Sequence, residues 1–253
     1  MKNLKSVIKS NHLNTCNFHN YTKMDYLVLL FILSKIQRYD EFGKIHIMDK
    51  SQPVKITAQE FADAFSIDID NCYTVLRVSI TSIQSKPVQF RDLFETDTQW
   101  TLITEASFYK AGYAVIYFNE KIWHHITNLV QNFTKYKLSS ISKLETLPSI
   151  RLFELLIQFK KSGYLIDTLE NIKFSLGKET YSEYKIFKRD VLKPAIEELN
   201  LKHKRLNVQM VEKRENRRVS QIEFKFTPDT PKAKLITQTE FNIQQQDLLS
   251  NNT

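Results

Sequence analysis

The sequence predicts an α+β fold with two similar halves. In each half, two short helices joined by a tight turn precede a β-hairpin, which is the order of a helix-turn-helix followed by a wing. The halves also superpose at a constant offset of 111 positions, which pairs Thr57 with Thr168 and Tyr73 with Tyr184. We therefore predict two tandem winged-helix domains.

The first half begins with a strongly apolar helix, predicted over residues 22–39, whose apolar surface is wider than one stripe. We expect it to be deeply buried or to pack against a second copy. Thr57 and Glu60 match a capping box, which predicts the start of the next short helix. Another helix is expected over residues 71–85.

A β-hairpin is predicted after these helices, with its turn at Gly112, because glycine readily adopts the positive φ that a tight turn requires. This hairpin would be the first wing. Asn119 is then expected to cap a helix that runs to about Phe133.

The second half repeats this plan. Helices are predicted over residues 150–161 and 168–176, and Ser182 is expected to cap a third in the stretch 181–199. A hairpin over residues 206–226 would be the second wing. The third helix has an apolar stripe at three- and four-residue steps, formed by Tyr184, Phe187, Val191 and Ala195.

Composition and pattern place the domain boundaries. We expect a flexible N-terminal arm, a first winged-helix domain, a second winged-helix domain, and a mobile polar tail rich in Gln and Asn. These segments are, in order, residues 1–20, 21–140, 141–227 and 228–253.

The net charge of +8 favours a polyanionic partner. Two cysteines in 253 residues suit a reducing compartment and give no disulfide framework. No secretory signal is visible, and the longest apolar run, residues 26–33, is far shorter than the roughly 20 residues of a membrane span. We expect a cytoplasmic protein without membrane contact.

An enzymatic function is not expected. With only four glycines, the chain has neither a Walker-type loop nor a dinucleotide fingerprint, so no cofactor is predicted. His124 and His125 are neighbours and would diverge by about 100° on a helix, which prevents them from chelating one metal ion. We find no catalytic residues and no metal site in the sequence.

The candidate DNA-binding residues of the second half lie on one helix and one hairpin tip. Lysine and arginine attract phosphates whatever the base sequence, and arginine can also bridge O6 and N7 of guanine. We therefore expect Arg189 to read a base, while the others divide between bases and backbone. These others are Lys185, Lys188 and Lys193 on the helix, and Lys213, Arg214, Arg217 and Arg218 on the wing.

The equivalent face of the first half is less cationic, but no acid occurs between Asp70 and Asp92. We expect it to be the weaker DNA contact. Its candidate residues are Thr74, Arg77, Thr81 and Lys86. A solvated amphipathic helix and a solvated turn show the same patterns as these two basic faces.

Three blocks of the sequence resemble the hallmark blocks of plasmid replication initiators, the Rep proteins of iteron-containing, theta-replicating plasmids. They are Phe-Thr-Lys-Tyr-Lys-Leu at 133–138, Ile-Arg-Leu-Phe-Glu-Leu-Leu at 150–156, and Phe-Lys-Arg-Asp-Val-Leu-Lys-Pro-Ala-Ile-Glu-Glu-Leu-Asn at 187–200. The resemblance covers roughly residues 20–226. Pro148 and the Gln/Asn-rich tail depart from the family pattern.

The resemblance implies two winged-helix domains and double-stranded DNA as the partner. It implies binding of directly repeated origin sites as a monomer and autorepression at an inverted repeat as a homodimer. It also implies origin melting, recruitment of the host initiator and replicative helicase, and control of plasmid copy number in a bacterial cell.

Two other interpretations of the residues stay open. One is a winged-helix transcriptional regulator that binds a palindromic operator and uses its first domain only to dimerise. The other is an interaction scaffold with an incidental basic face.

Overall fold

The computed structural model describes residues 6–39, 45–91, 97–127 and 132–228. The predicted polar tail lies outside them except for Pro228. The first elements in chain order are β1 Ser6–Ser10, α1 Asn11–Thr15, α2 Lys23–Ile36, β2 Gln37–Tyr39, β3 Ile45–Ile47, β4 Val54–Thr57, α3 Ala58–Phe65, α4 Cys72–Ser85, β5 Val88–Arg91, β6 Asp97–Trp100, β7 Ile103–Tyr109, β8 Tyr113–Phe118, α5 Trp123–Ile126 and β9 Phe133–Lys137.

The chain continues with helices and one further three-stranded sheet. The elements are α6 Leu147–Gln158, β10 Tyr164–Thr168, α7 Leu169–Ser175, α8 Tyr184–Phe187, a π-helical turn Lys188–Leu192, α9 Lys193–Lys202, β11 Gln209–Glu215 and β12 Arg218–Lys225. Short 3₁₀ helices, Glu120–Ile122 and Leu138–Ser140, precede α5 and follow β9.

Two antiparallel sheets have the same topology, with strand orders β4-β8-β7 and β10-β12-β11. In each sheet the strand before the helices pairs with the last strand of the hairpin, as Thr57 pairs with Tyr113 and Thr168 with Gln221. We name β4, α3, α4, β7 and β8 the first winged helix, and β10, α7, α8, α9, β11 and β12 the second winged helix. The prediction of two tandem winged helices is confirmed.

The helix starts show why the two halves align. Thr57 accepts a hydrogen bond from the backbone N–H of Glu60 and completes the predicted capping box. Thr168 caps α7 in the same way through the N–H of Asn171. Gly112 turns the first hairpin with φ of +81°, as predicted.

The core is continuous across both halves and surrounds α2. Every residue of α2 from Asp25 to Ile36 is buried, which confirms the predicted deep burial of this helix. The helix ends at Ile36, and the predicted last residues form β2 instead.

The predicted flexible arm is wrong for residues 6–20. The β1 strand pairs along its whole length with β9, and Val7 is fully buried. The local sequence is polar, but several of its polar side chains are buried and form hydrogen bonds or ion pairs inside the protein. Lys9, for example, is 1% exposed and bonds to the buried carboxylate of Glu154.

Two helix boundaries also differ from the sequence prediction. The helix after Asn119 ends at Ile126, Thr127 is extended, and Phe133 begins β9. Ser182 is not a cap, because α8 begins after Glu183, whose side chain makes no capping bond. This helix is anchored by its apolar stripe and not by an N-cap.

Candidate nucleic-acid interface

The second winged helix presents residues 184–202 (α8, the π turn and α9) as its recognition helix. Phe187, Val191 and Ala195 are buried against the core, and Tyr184 is half-buried, so the predicted apolar stripe is confirmed. The opposite side is exposed to solvent. It carries Lys185, Arg189 and Lys193.

A π-helical turn interrupts the recognition helix just before Pro194. Proline has no N–H to donate, and its ring crowds the carbonyl four residues earlier. The backbone widens here, and the N–H of Lys193 bonds to the carbonyl of Lys188, five residues back. A proline inside a helix is expected to bend it; the structure places an altered turn there, and α9 continues beyond it.

The three exposed cations differ in whether a carboxylate pairs with them. Arg189 lies with its guanidinium against the carboxylate of its neighbour Asp190, with Nε to Oδ1 at 2.5 Å and Nη2 to Oδ2 at 2.9 Å. Its side chain is 71% exposed, so a stronger acceptor can replace Asp190. Lys185 and Lys193 are exposed, and neither forms an ion pair with a carboxylate among the described residues.

The wing is the β11–β12 hairpin. Its tip is a two-residue turn in which Asn216 and Arg217 have φ of +47° and +67°. The predicted wing cations Lys213, Arg214, Arg217 and Arg218 are all exposed around this turn. The structure therefore places two basic elements, the helix face and the wing, in the second winged helix.

Glu212 connects these two elements. Its Oε1 accepts hydrogen bonds from Tyr184 Oη at 2.8 Å and Lys188 Nζ at 2.6 Å, and its Oε2 accepts one from Arg214 Nη2 at 2.7 Å. These bonds, led by that from Lys188, hold the pKa of Glu212 at about 2. Lys188 therefore differs from Lys185, because its ammonium group is bound within the protein.

The first winged helix exposes a less cationic face. Thr74, Arg77 and Thr81 lie exposed on α4, and the Arg77 guanidinium is 5.7 Å from the ring centre of Phe108 in the first wing. Lys86 is half-buried, and its Nζ lies 3.0 Å from the Asp25 carboxylate. Lys86 was predicted to bind DNA together with Thr74, Arg77 and Thr81, but its charge is already paired within the protein.

A buried ionic cluster joins the two halves, and sequence reasoning missed it. Arg151 in α6 is 1% exposed; its Nη1 bonds to Tyr26 Oη at 2.6 Å and to Glu154 Oε2 at 2.9 Å. Its Nη2 donates to the carbonyls of Asn14, Cys16 and Ser175. One guanidinium thus bonds to the N-terminal segment, to α2 and to α7 of the second winged helix.

Glu154 is the counter-ion of this cluster. Lys9 Nζ lies 2.7 Å from its Oε1, and the hydroxyls of Tyr26 and Tyr136 also donate to its carboxylate. Burial acts to raise the pKa of Glu154, but the charges of Lys9 and Arg151 and the hydrogen bond from Tyr136 lower it below the ordinary value. The available signal was an Arg and a Glu three residues apart within the apolar block 150–156.

A histidine near the first winged helix is also buried. His125 stacks on Phe90, and its Nδ1 lies 3.0 Å from Ser10 Oγ. Burial lowers its pKa to about 4, and the neighbouring His124 and His12 act in the same direction. In the described part of the chain, His, Cys, Asp and Glu form no cluster of three or more able to hold a metal ion.

The residues predicted to bind DNA therefore form two groups, one on each winged helix.

No helix of the described ranges is long and apolar enough to cross a membrane.

The two domains match known protein families. Residues 6–157 match the family described as initiator replication protein, WH1, and residues 168–226 match the initiator Rep protein, WH2. The chain belongs to the initiator replication protein family. The resemblance carried by the three blocks is thereby confirmed. The family match assigns nearly all of α6 to the first domain. We had predicted a boundary between residues 140 and 141, which would place α6 in the second domain.

Relatives of this initiator protein occur in Escherichia coli. A replication initiation protein is 30% identical over 161 residues, which are 60% of this chain and 49% of that protein. The PI protein is 31% identical over 136 residues, which are 47% of this chain and 45% of that protein. The chain thus spans less than half the length of these relatives.

A solved structure shares the fold. The crystal structure of the Pi initiator protein in complex with iteron DNA superposes on this initiator protein with a TM-score of 0.71 at 20% identity. The superposition covers 91% of this chain and all of the other. The arrangement of two tandem winged helices is therefore common to both proteins.

Proposed function

We propose that this protein is a plasmid replication initiator that binds directly repeated origin sequences, or iterons. The observation that carries the proposal is the exposed row of Lys185, Arg189 and Lys193 beside a basic wing on the second winged helix. Membership of the initiator family supports it. The Pi initiator, which has the same fold, was crystallised with iteron DNA.

The second winged helix makes the main DNA contact. The exposed side of the recognition helix enters the major groove, where Arg189 exchanges Asp190 for the O6 and N7 atoms of a guanine. Lys185 and Lys193 contact the backbone phosphates on either side. The wing cations Arg217 and Arg218 contact the flanking backbone or the minor groove.

The first winged helix makes the secondary DNA contact through Thr74, Arg77 and Thr81. It also forms a homodimer that represses the protein's own gene at an inverted repeat, while the monomer binds the iterons. A tyrosine pair in the first wing supports a protein contact here. Tyr109, which is exposed, stacks on the half-buried Tyr113 with ring centres 4.5 Å apart.

We propose further steps of initiation that the family resemblance implies. Bound to its repeats in the bacterial cytoplasm, the protein promotes opening of the origin and recruits the host initiator and the replicative helicase. Dimerisation limits the amount of active monomer and so controls plasmid copy number.

Footprinting on the DNA that adjoins the gene tests this function. We expect protection of several tandem direct repeats, with weaker protection of one inverted repeat at higher protein concentration. A single protected palindrome would favour the transcriptional regulator instead. Absence of any sequence-specific protection would contradict both and favour the interaction scaffold.

A further inference from the structure

We propose that Glu212 is the positioning residue that couples the wing to the recognition helix, and thereby determines how specifically the second winged helix reads its site. This inference rests on the proposed function and deepens it. It assigns Lys188 to the interior of the interface as a tether, and not to a DNA phosphate.

The contacts of Glu212 are the basis of this assignment. Its side chain is 17% exposed and accepts bonds from both elements: Tyr184 and Lys188 of the recognition helix, and Arg214 of the wing. A carboxylate can accept several charge-assisted hydrogen bonds at once, and such bonds are stronger than neutral ones. A single side chain therefore links the tip of the wing to the recognition helix.

The location of this carboxylate also needs an explanation. An acidic side chain beside a DNA-binding face repels phosphates, so electrostatics alone favours its loss. Pairing of β12 with β10 holds the base of the hairpin as far as Gln221, whereas the tip beyond it has no third strand in the part of the chain that the structure describes. Fixing the wing reduces the ordering that DNA binding would otherwise require, and only the correctly spaced site benefits fully.

Glu223 provides a matched control within the same hairpin. Its carboxylate also binds two cations, Lys213 Nζ at 2.8 Å and Lys225 Nζ at 2.9 Å. Both of these partners belong to the hairpin, whereas Glu212 also reaches the helix. Glu212→Gln and Glu223→Gln therefore change the net charge equally, and each removes the charge that two cations pair with, but only the first weakens the link to the helix.

The experiment measures the dissociation constant of each variant for the cognate repeat and for an unrelated duplex of equal length, across a range of salt concentrations. We expect both variants to bind the unrelated duplex more tightly, by similar factors. We define specificity as the dissociation constant for the unrelated duplex divided by that for the cognate repeat. This specificity should fall about tenfold in Glu212→Gln, and it should stay within about twofold of the wild-type value in Glu223→Gln. Equal specificity in the two variants would overturn the proposal.

Lys188→Met is the second test and does not depend on the behaviour of Glu212→Gln. A tether predicts a loss of specificity similar to that of Glu212→Gln, no further loss in the double variant, and an unchanged salt slope. A phosphate contact predicts a slope reduced by about 0.9 and additive effects, which would contradict the assignment. If the wild type shows no preference for direct repeats, the proposed function fails. If the wild type does prefer them, but Glu212→Gln is as specific as Glu223→Gln and Lys188→Met behaves as a lost phosphate contact, only this inference fails.

Discussion

The two winged helices have one topology but place their cations differently. On the first, Lys86 is bound to the Asp25 carboxylate, and Arg77 lies near Phe108. On the second, Lys185 and Lys193 are exposed on the recognition helix. The comparison teaches that a lysine on such a helix keeps an available charge only where the surrounding fold places no carboxylate beside it.

The second winged helix itself contains both cases. Lys188 is bound to Glu212, whereas Lys185, three residues earlier, is exposed. Spacing along the helix does not distinguish them, because the carboxylate that binds Lys188 belongs to the wing.

The largest expected effect concerns the cluster that joins the two halves. Arg151→Met leaves the carbonyls of Asn14, Cys16 and Ser175 without their buried donor, and we expect it to lower the free energy of unfolding by about 3–5 kcal/mol. Both tryptophans, Trp100 and Trp123, precede α6, so their fluorescence reports the first half, whereas circular dichroism reports the whole chain.

The two signals should shift together in denaturant titrations of Arg151→Met, since the cluster bonds to both halves. Arg91→Met is the control, because Arg91 also links the halves, through Glu179 at 3.4 Å and the Phe174 ring at 4.1 Å, but its side chain is 31% exposed. It should cost about 1 kcal/mol or less. Separate transitions for the two signals in the wild type would show that the halves unfold independently.

Acid should weaken the first half through His125. Its pKa is about 4 in the folded protein and 6.5 in a solvated state, so the unfolded chain binds more protons between these values. The stabilisation is present above pH 6.5 and is lost as the pH falls toward 4, by up to about 3 kcal/mol.

Denaturant unfolding at a series of pH values, followed by tryptophan fluorescence, measures this loss. Trp100 is a suitable reporter because its ring centre lies 6.4 Å from that of His125. The variant His125→Phe should have a flatter profile. An equally steep profile in this variant would assign the acid sensitivity to other groups.

Matched arginine substitutions sharpen the comparison of the two DNA-binding faces. Arg189→Ala should weaken binding to the cognate repeat by about 1–3 kcal/mol and relax the preference for one guanine. Arg77→Ala should have a smaller effect, since we assign the first winged helix only secondary contact. Titrations with the cognate repeat and with point-substituted repeats measure both, and equal losses would remove the distinction between the faces.

The smallest expected effect is on salt dependence. Lys185→Ala should reduce the slope of log affinity against log salt by about 0.9, the value for one phosphate contact on B-DNA. Lys86→Ala should leave the slope unchanged, because Lys86 is already paired with Asp25. A reduced slope for Lys86→Ala would mean that DNA displaces that ion pair.

Much of the fold follows from local sequence patterns. The capping box at Thr57, the turn at Gly112 and the stripe through Phe187 each depend on residues a few positions apart, and all three are confirmed. The buried N-terminal strand was missed because its partner β9 lies more than 120 residues away.

The candidate site divides in the same way. The exposed positions of Arg189 and Lys193 could be predicted from helical periodicity. The pairings of Lys188 with Glu212 and of Lys86 with Asp25 could not, because each joins elements that only tertiary packing brings together.

Guanine methylation interference on the protected repeat tests the central claim most directly. With the wild type, methylation of N7 at one guanine of each repeat should abolish binding. With Arg189→Ala, interference at that guanine should disappear while interference at other positions remains, and Arg77→Ala should leave it intact. An unchanged pattern for Arg189→Ala would contradict the assignment of the second winged helix as the main reader of the DNA sequence.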